Sequence, residues 1–274
     1  MNWHTIASIQ PPYFDEKSHQ NNEKSIQAGL QYLKEALNMG ASVACLPEFF
    51  NILGVADAEM HKTSQNADLI HNEIRALAAK HSAYIILPLL EEKEGSFFNR
   101  AYLVGPDGQD IGHYDKTQTT LSEREYLSVS AGNSVKVFET EIGKIGIVIC
   151  YDIYFPEIFN ELRQQKVDII FFPSLQRAEH ETANESLIKA RAMDTQAYLV
   201  RSSFGRPINT HWQPGMMFGQ SSIIHPDGTV LANAGHFEGM GLARIKLPFE
   251  WKKPRCSGYP VQSVRDYLDD DRKS

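Results

Sequence analysis

Cysteine is scarce in this chain: Cys45, Cys150 and Cys256 are its only thiols in 274 residues, and no two form a CxxC pair. That argues against a disulfide framework, and an odd, widely spaced set fits a reducing, cytoplasmic setting. Long apolar runs are missing too. Nothing approaches the roughly 18 consecutive apolar residues of a membrane span. The start, "MNWHTIASIQPP", lacks the basic opening and apolar stretch of a secretory signal. Positive charge is in deficit, with 27 Lys and Arg against 34 Asp and Glu and a formal net charge of -7. A nucleic-acid partner is therefore not expected, because phosphate binding needs a basic surface.

Several chemistries are absent as motifs. There is no P-loop and no GxGxxG after a strand. "GQSSI" lacks the second glycine of a nucleophile elbow, and "HETAN" lacks the second histidine of a zinc helix. The ten histidines are scattered without metal-ligand spacing, so no metal is expected. Hydrophobic content of 42% with 22% charged residues nevertheless allows one large α/β domain with a substantial core.

What is present is an order of elements stated twice. Thr5–Ile9 reads as a strand, and Ile26, Leu30, Leu33 and Leu37 repeat at helical spacing up to Gly40. "SVACLP", a helix over Leu69–Lys80, the strand "AYIILP" and a hairpin turned by Pro106-Asp107-Gly108 follow. The second half repeats the pattern: "KIGIVIC", a helix over Pro156–Gln165, "VDIIFFP", a helix over Glu185–Gln196, "AYLVRSS", and a hairpin at Pro226-Asp227-Gly228. Strands such as "IGIVI" are apolar on both faces and need cover on both sides. The expectation is an α/β four-layer αββα sandwich built from two β-α-β-α-β-hairpin halves.

Ligands of open α/β sheets bind beyond the carboxyl ends of the strands. Glu48, Lys116 and Cys150 fall at such ends, and Ser174 takes in the second half the place of Glu48 in the first. Taken singly, each has an inert alternative: a helix cap, a solvated cation, a small core hydrophobe. Together they have a chemistry. A thiol attacks as thiolate, a lysine cation favours that form, and a carboxylate can accept the proton. The oxyanion that then develops needs donors in place. Lys116 and the backbone N–H of Tyr151, at the turn after the nucleophile, can supply them. Cys45 sits inside an apolar strand and reads as inert. Asp152, without a partner histidine, is expected to order the turn. Tyr154 and Phe155 either line a pocket or pack.

"LPEFF", "HYDKTQ" and "CYDIYFPE" resemble, in this order, the three motif regions of the nitrilase, or carbon–nitrogen hydrolase, superfamily. "ARAMDTQAYLV", "GQSSIIHPDGTVLA" and "GLARIKL" extend the similarity from "IASIQ" to about residue 247. The resemblance implies a single domain over residues 1–274, with 248–274 as a C-terminal extension. It also implies a Glu–Lys–Cys triad, Glu48 as general base, Lys116 as stabiliser of the tetrahedral intermediate, and Cys150 as nucleophile forming a thioester without a cofactor. A second glutamate that positions substrate near the lysine is matched best by Glu125, seven positions before Gly132, with Glu123 as its rival. Cys150-Tyr151-Asp152 departs from the Cys-Trp-Glu of true nitrilases and favours the amidase-like branches. An N-carbamoyl substrate bearing a carboxylate fits less well, unless Arg177 or Arg201 reaches in from a later loop. The resemblance further implies a small amide as substrate and a homodimer or larger homo-oligomer, with "PFEWKKPRCSGYP" as one candidate contact. Two readings of another kind stand beside this one: a non-catalytic binding module on the same fold, and a redox-sensing thiol.

Overall fold

Two six-stranded sheets carry the chain. The computed structural model describes residues 2–177, 181–208, 210–211 and 217–249. Cys256 and the charged tail lie outside the described residues, as does most of the aromatic C-terminal stretch. The first half runs β1 (Asn2–Gln10), α1 (His19–Asn38), β2 (Val43–Cys45), α2 (Met60–Ser64), α3 (Ala67–His81), β3 (Tyr84–Lys93), β4 (Ser96–Val104) and β5 (Asp110–Asp115). After α4 (Leu121–Tyr126) the second half runs β6 (Val137–Thr140), β7 (Gly143–Ile147), a 3-10 turn over Cys150–Tyr154, α5 (Pro156–Gln164), β8 (Ile169–Pro173), α6 (Glu181–Thr195), β9 (Tyr198–Ser202), β10 (Ser222–Ile224), β11 (Val230–Asn233) and β12 (Gly239–Leu247).

The strand orders are β12-β1-β2-β3-β4-β5 and β11-β10-β9-β8-β7-β6. In each sheet three strands run parallel (β1-β2-β3 and β7-β8-β9), as helical crossovers require, and a hairpin extends them on one side. The fold class read from the sequence is thus the one observed. The added features are the antiparallel edge strands, β12 against β1 and β6 against β7, which lie outside the repeat.

Layering follows from the alternation of side chains along each strand. One face of each sheet meets the other in a shared core that includes Ile6, Val43 and Ile86 from the first sheet with Ile145, Phe171 and Val200 from the second. The opposite face of the first sheet packs on Leu30, Leu33 and Ile74 of α1 and α3, and that of the second on Phe159, Leu162 and Ile188 of α5 and α6. Helix ends agree with local chemistry. The Ser18 side chain caps α1 by accepting from the Asn21 N–H at 3.1 Å. Gly40, with φ +86, supplies the left-handed residue that stops α1.

Candidate active site

β5 is the outer strand of its sheet, and Lys116 continues its ladder one residue further, donating its backbone N–H to Asn99 O at 2.9 Å. That register turns Lys116 and Asn99 toward the space between the sheets. Glu48 enters the same space from the segment after β2. All three are buried, Lys116 and Glu48 to 1% exposure and Asn99 to 0%. The Lys116 ammonium donates to Glu48 Oε1 at 2.9 Å, and to Glu123 Oε1 and Oε2 at 2.9 and 2.8 Å. Asn99 Nδ2 bridges the two carboxylates, at 2.8 Å from each.

Glu123, not Glu125, is therefore the second carboxylate at the lysine. Glu125 is exposed on α4. The reason is local: Thr120 caps α4 by accepting from the Glu123 N–H at 3.2 Å, and the Glu123 carboxylate folds back to accept from the Thr120 N–H at 2.7 Å. This reciprocal pairing at Thr-x-x-Glu points Glu123 inward and leaves Glu125, two residues on, on another face of the helix.

Cys150 opens the 3-10 turn after β7 with φ +45, a left-handed conformation uncommon for a residue with a side chain. The residue is half-buried, and its thiol donates to Leu175 O at 3.6 Å. Tyr151 presents its ring to solvent against Tyr154 and Phe155, with centroids 5.6 and 5.3 Å away. Its backbone N–H belongs to the first positions of the turn, which have no acceptor within a helix. Asp152 orders this turn. It accepts from Ile149 N at 2.8 Å, Tyr114 Oη at 2.9 Å, Gln118 N at 3.0 Å and Thr117 Oγ1 at 3.3 Å, tying the cysteine turn to the lysine segment across the two sheets.

The electrostatics separate the two glutamates. Burial pushes Glu48 above the usual carboxylate range, with Glu123 adding to this and Lys116 opposing it. Burial also works against the Glu123 carboxylate, but Lys116, Thr120 and Asn99 together outweigh it and hold the group low. Lys116 is disfavoured by burial, yet its anionic neighbours keep it firmly protonated. The thiol of Cys150 is pushed well up by burial and then by Glu48, against the pull of Lys116. The lysine alone does not make a resting thiolate here, so a proton acceptor is needed at the moment of attack. Cys45, fully buried, is pushed up to about 12 and is inert as a nucleophile at neutral pH.

A cavity of about 370 Å³ is lined by Glu48, Lys116, Glu123 and Cys150, with Tyr13, Tyr126 and Arg177 among its other walls. Its volume suits a small molecule. Of the two arginines, Arg177 lines this cavity and stacks over Tyr13, 5.7 Å from the ring centroid. Arg201 is buried over Phe218 and lines a different, much smaller space. Ser174 is buried and reaches the Ser202 carbonyl rather than the cavity. Asn99 was missed by sequence reasoning, because its two carboxylate partners are 51 and 24 positions away and its type carries no motif. Among the described residues no group of three or more His, Cys, Asp or Glu could hold a metal ion, and no helix is long and apolar enough to cross a membrane.

Known proteins share this chain's sequence pattern and fold. The deaminated glutathione amidase of Mus musculus is 28% identical over 247 residues, covering 84% of this chain and 75% of the relative. The human omega-amidase NIT2 is 26% identical over 234 residues, covering 81% and 83%. Among solved structures, the NitFhit protein of C. elegans superposes with a TM-score of 0.78 at 25% identity, over 90% of this chain and 61% of that one. An amidase from Nesterenkonia sp. shares the fold, with a TM-score of 0.74 at 19% identity over 89% and 90%. The carbon-nitrogen hydrolase profile matches residues 5–249. On that match, which takes in both sheets and every residue of the buried cluster, the chain belongs to the carbon–nitrogen hydrolase family.

Proposed function

We propose that this enzyme is an amidase that hydrolyses a small non-peptide amide to a carboxylic acid and ammonia, through a thioester on Cys150. The observation that carries the reading is the Lys116 ammonium, 2.9 Å from Glu48 and 2.8 Å from Glu123, in a cavity that Cys150 also lines. Glu48, raised in basicity by burial, takes the thiol proton as sulfur adds to the amide carbon. The carbonyl electron pair moves onto oxygen, where Lys116 and the Tyr151 N–H donate to it. Collapse of this intermediate breaks the C–N bond, the nitrogen takes the proton from Glu48, and ammonia leaves. Water then attacks the thioester with Glu48 again as base, releasing the acid and the thiol. Glu123, held anionic, keeps Lys116 charged and in place through the cycle.

The amidase names of the relatives support this reading, as does a cavity sized for a small substrate. Arg177 on its wall adds a second class to examine, amides or carbamoyl compounds that bear a carboxylate. The test is ammonia release from small neutral amides, ω-amides and N-carbamoyl compounds, by wild-type protein and Cys150→Ala. The expected result is turnover of at least one amide, abolished in Cys150→Ala with the circular dichroism unchanged. Equal turnover by the variant would refute it.

A further inference from the structure

β4 and β5 carry a second, partly buried ionic cluster, on the face turned away from the cavity. Arg100 and Asp115 are direct partners in the ladder, and their side chains meet in a two-pronged pair, Nε to Oδ1 at 2.6 Å and Nη2 to Oδ2 at 3.1 Å. Arg100 is 9% exposed. Its third nitrogen, Nη1, lies 3.5 Å from Glu91 Oε2 on β3, and Glu91 is itself held by Lys93 at 2.8 Å and by the Tyr102 hydroxyl. The cluster thus ties three neighbouring strands. Among the described residues His113 also faces Asp115, with Nε2 at 3.8 Å from Oδ2.

Its place in the register is what gives it consequence. Asn99 precedes Arg100 and Lys116 follows Asp115, and side chains of adjacent residues point to opposite faces of a strand. The Arg100–Asp115 pair is therefore one position from the Asn99–Lys116 pair, directly behind it. Among the described residues β5 has no strand on its far side, so no ladder there holds its last residues. Other local fastenings are two backbone bonds, Lys116 N to Asn99 O and Gly132 N to Lys116 O, each at 2.9 Å, and on the cavity-facing side the Asp152 carboxylate, which accepts from Tyr114 Oη, Thr117 Oγ1 and Gln118 N. Gly132 sits so close that a Cβ there would come within 2.2 Å of Asp115 O.

We propose that Arg100 and Asp115 are positioning residues for the reaction: their fork clamps the end of β5 from the face opposite Asp152 and so sets the Lys116 ammonium between Glu48 and Glu123. The proposal rests on the amidase reading above for what Lys116 does. A bidentate arginine–carboxylate contact fixes both distance and angle, which a single lysine pair would not. Placement errors of about 1 Å at such a site can lower rates by about 100-fold.

The test is Asp115→Asn, which keeps the shape and removes the charged fork, assayed on an amide that the wild type turns over. The expected result is a kcat lower by about 10- to 100-fold, a KM within about 3-fold of wild type, and an acid limb of the pH–rate profile moved to higher pH. The direction of that move follows from Lys116 drawing the Glu48 carboxyl down, so a displaced ammonium lets it rise. Asp115→Glu, restoring a carboxylate, should recover most of the rate. A merely structural role would lower the melting temperature and leave kcat and the pH profile of the folded protein as they are, and that result would overturn the proposal. Should Asp115→Asn not fold, Arg100→Lys reads the same quantities, and a wild-type kcat and profile there would overturn it equally. Absence of Cys150-dependent ammonia release from the wild type defeats the amidase reading itself, whereas an active wild type with an indifferent Asp115→Asn defeats only this inference.

Discussion

Glu123→Gln removes one of the two carboxylates that neutralise a buried ammonium. Glu123 accepts four contacts: two from Lys116 at 2.9 and 2.8 Å, one from Asn99 at 2.8 Å and one from Thr120 N at 2.7 Å. Glutamine keeps the size and one acceptor oxygen, but it sets an NH2 where the other oxygen received Lys116 together with Thr120 or Asn99. Hydrogen bonds to charged groups are worth roughly 1.5–3 kcal/mol each, and a broken buried ion pair costs roughly 3–5 kcal/mol. With half the acceptors retained, a loss of about 2–3 kcal/mol is expected. For a chain of this size that lowers Tm by about 4–12 °C. Because the Lys116 ammonium then keeps the charge of Glu48 but loses that of Glu123, kcat should fall by about 10- to 100-fold. The paired control is Glu125→Gln, on the exposed side of α4, which should stay within about 0.5 kcal/mol and keep its turnover. Thermal melts by circular dichroism and ammonia release measured on both variants decide the matter. If Glu125→Gln were the damaged variant and Glu123→Gln the indifferent one, the placement argued from the Thr120 cap would be wrong.

Other expectations follow from the same geometry. Glu48 must be ionised to act as base and burial raises its pKa, so kcat/KM should decline as pH falls, with a limb above the ordinary glutamate value of 4.5. Asp152→Ala leaves four donors without their acceptor and should lower stability by about 3–5 kcal/mol, with ammonia release falling even in the protein that remains folded. Burial raises the Asp152 carboxyl from 3.8 to about 6, so the folded state favours its protonated form. The stability this contributes is present below about pH 4 and is lost as pH rises through about 6, and Asp152→Asn should flatten that part of a melting-temperature profile.

Much of this was legible in the sequence because the signals are local. The paired hairpins at Pro106-Asp107-Gly108 and Pro226-Asp227-Gly228, the helix spacing from Ile26 to Leu37, and Pro156 opening α5 all act within a few residues of where they are read. β12 was not given a place because its partner, β1, lies at the other end of the chain, with Asn2 paired to Leu247, and no periodicity encodes a partner at that separation. β6, four residues long, is too short for a pattern. The second glutamate was legible in principle. Thr120-x-x-Glu123 is a capping signature that fixes a side-chain direction, whereas spacing to Gly132 fixes none. The balance at the thiol could not be read at all, since it depends on how burial and Glu48 compare with Lys116, and that is a property of the assembled site.

The central claim is that Glu48 and Lys116 make the Cys150 sulfur reactive toward amide-like electrophiles. Exposure of the native protein to an α-haloacetamide, followed by peptide mass spectrometry, measures this directly. Sulfur displaces the halide and leaves a stable mark on whichever thiol attacked. Labelling is expected at Cys150, at least about 100-fold faster than at buried Cys45, and slowed by about 10-fold or more in Glu48→Gln and in Lys116→Ala. Labelling of Cys150 at the same rate in wild type and both variants would contradict it.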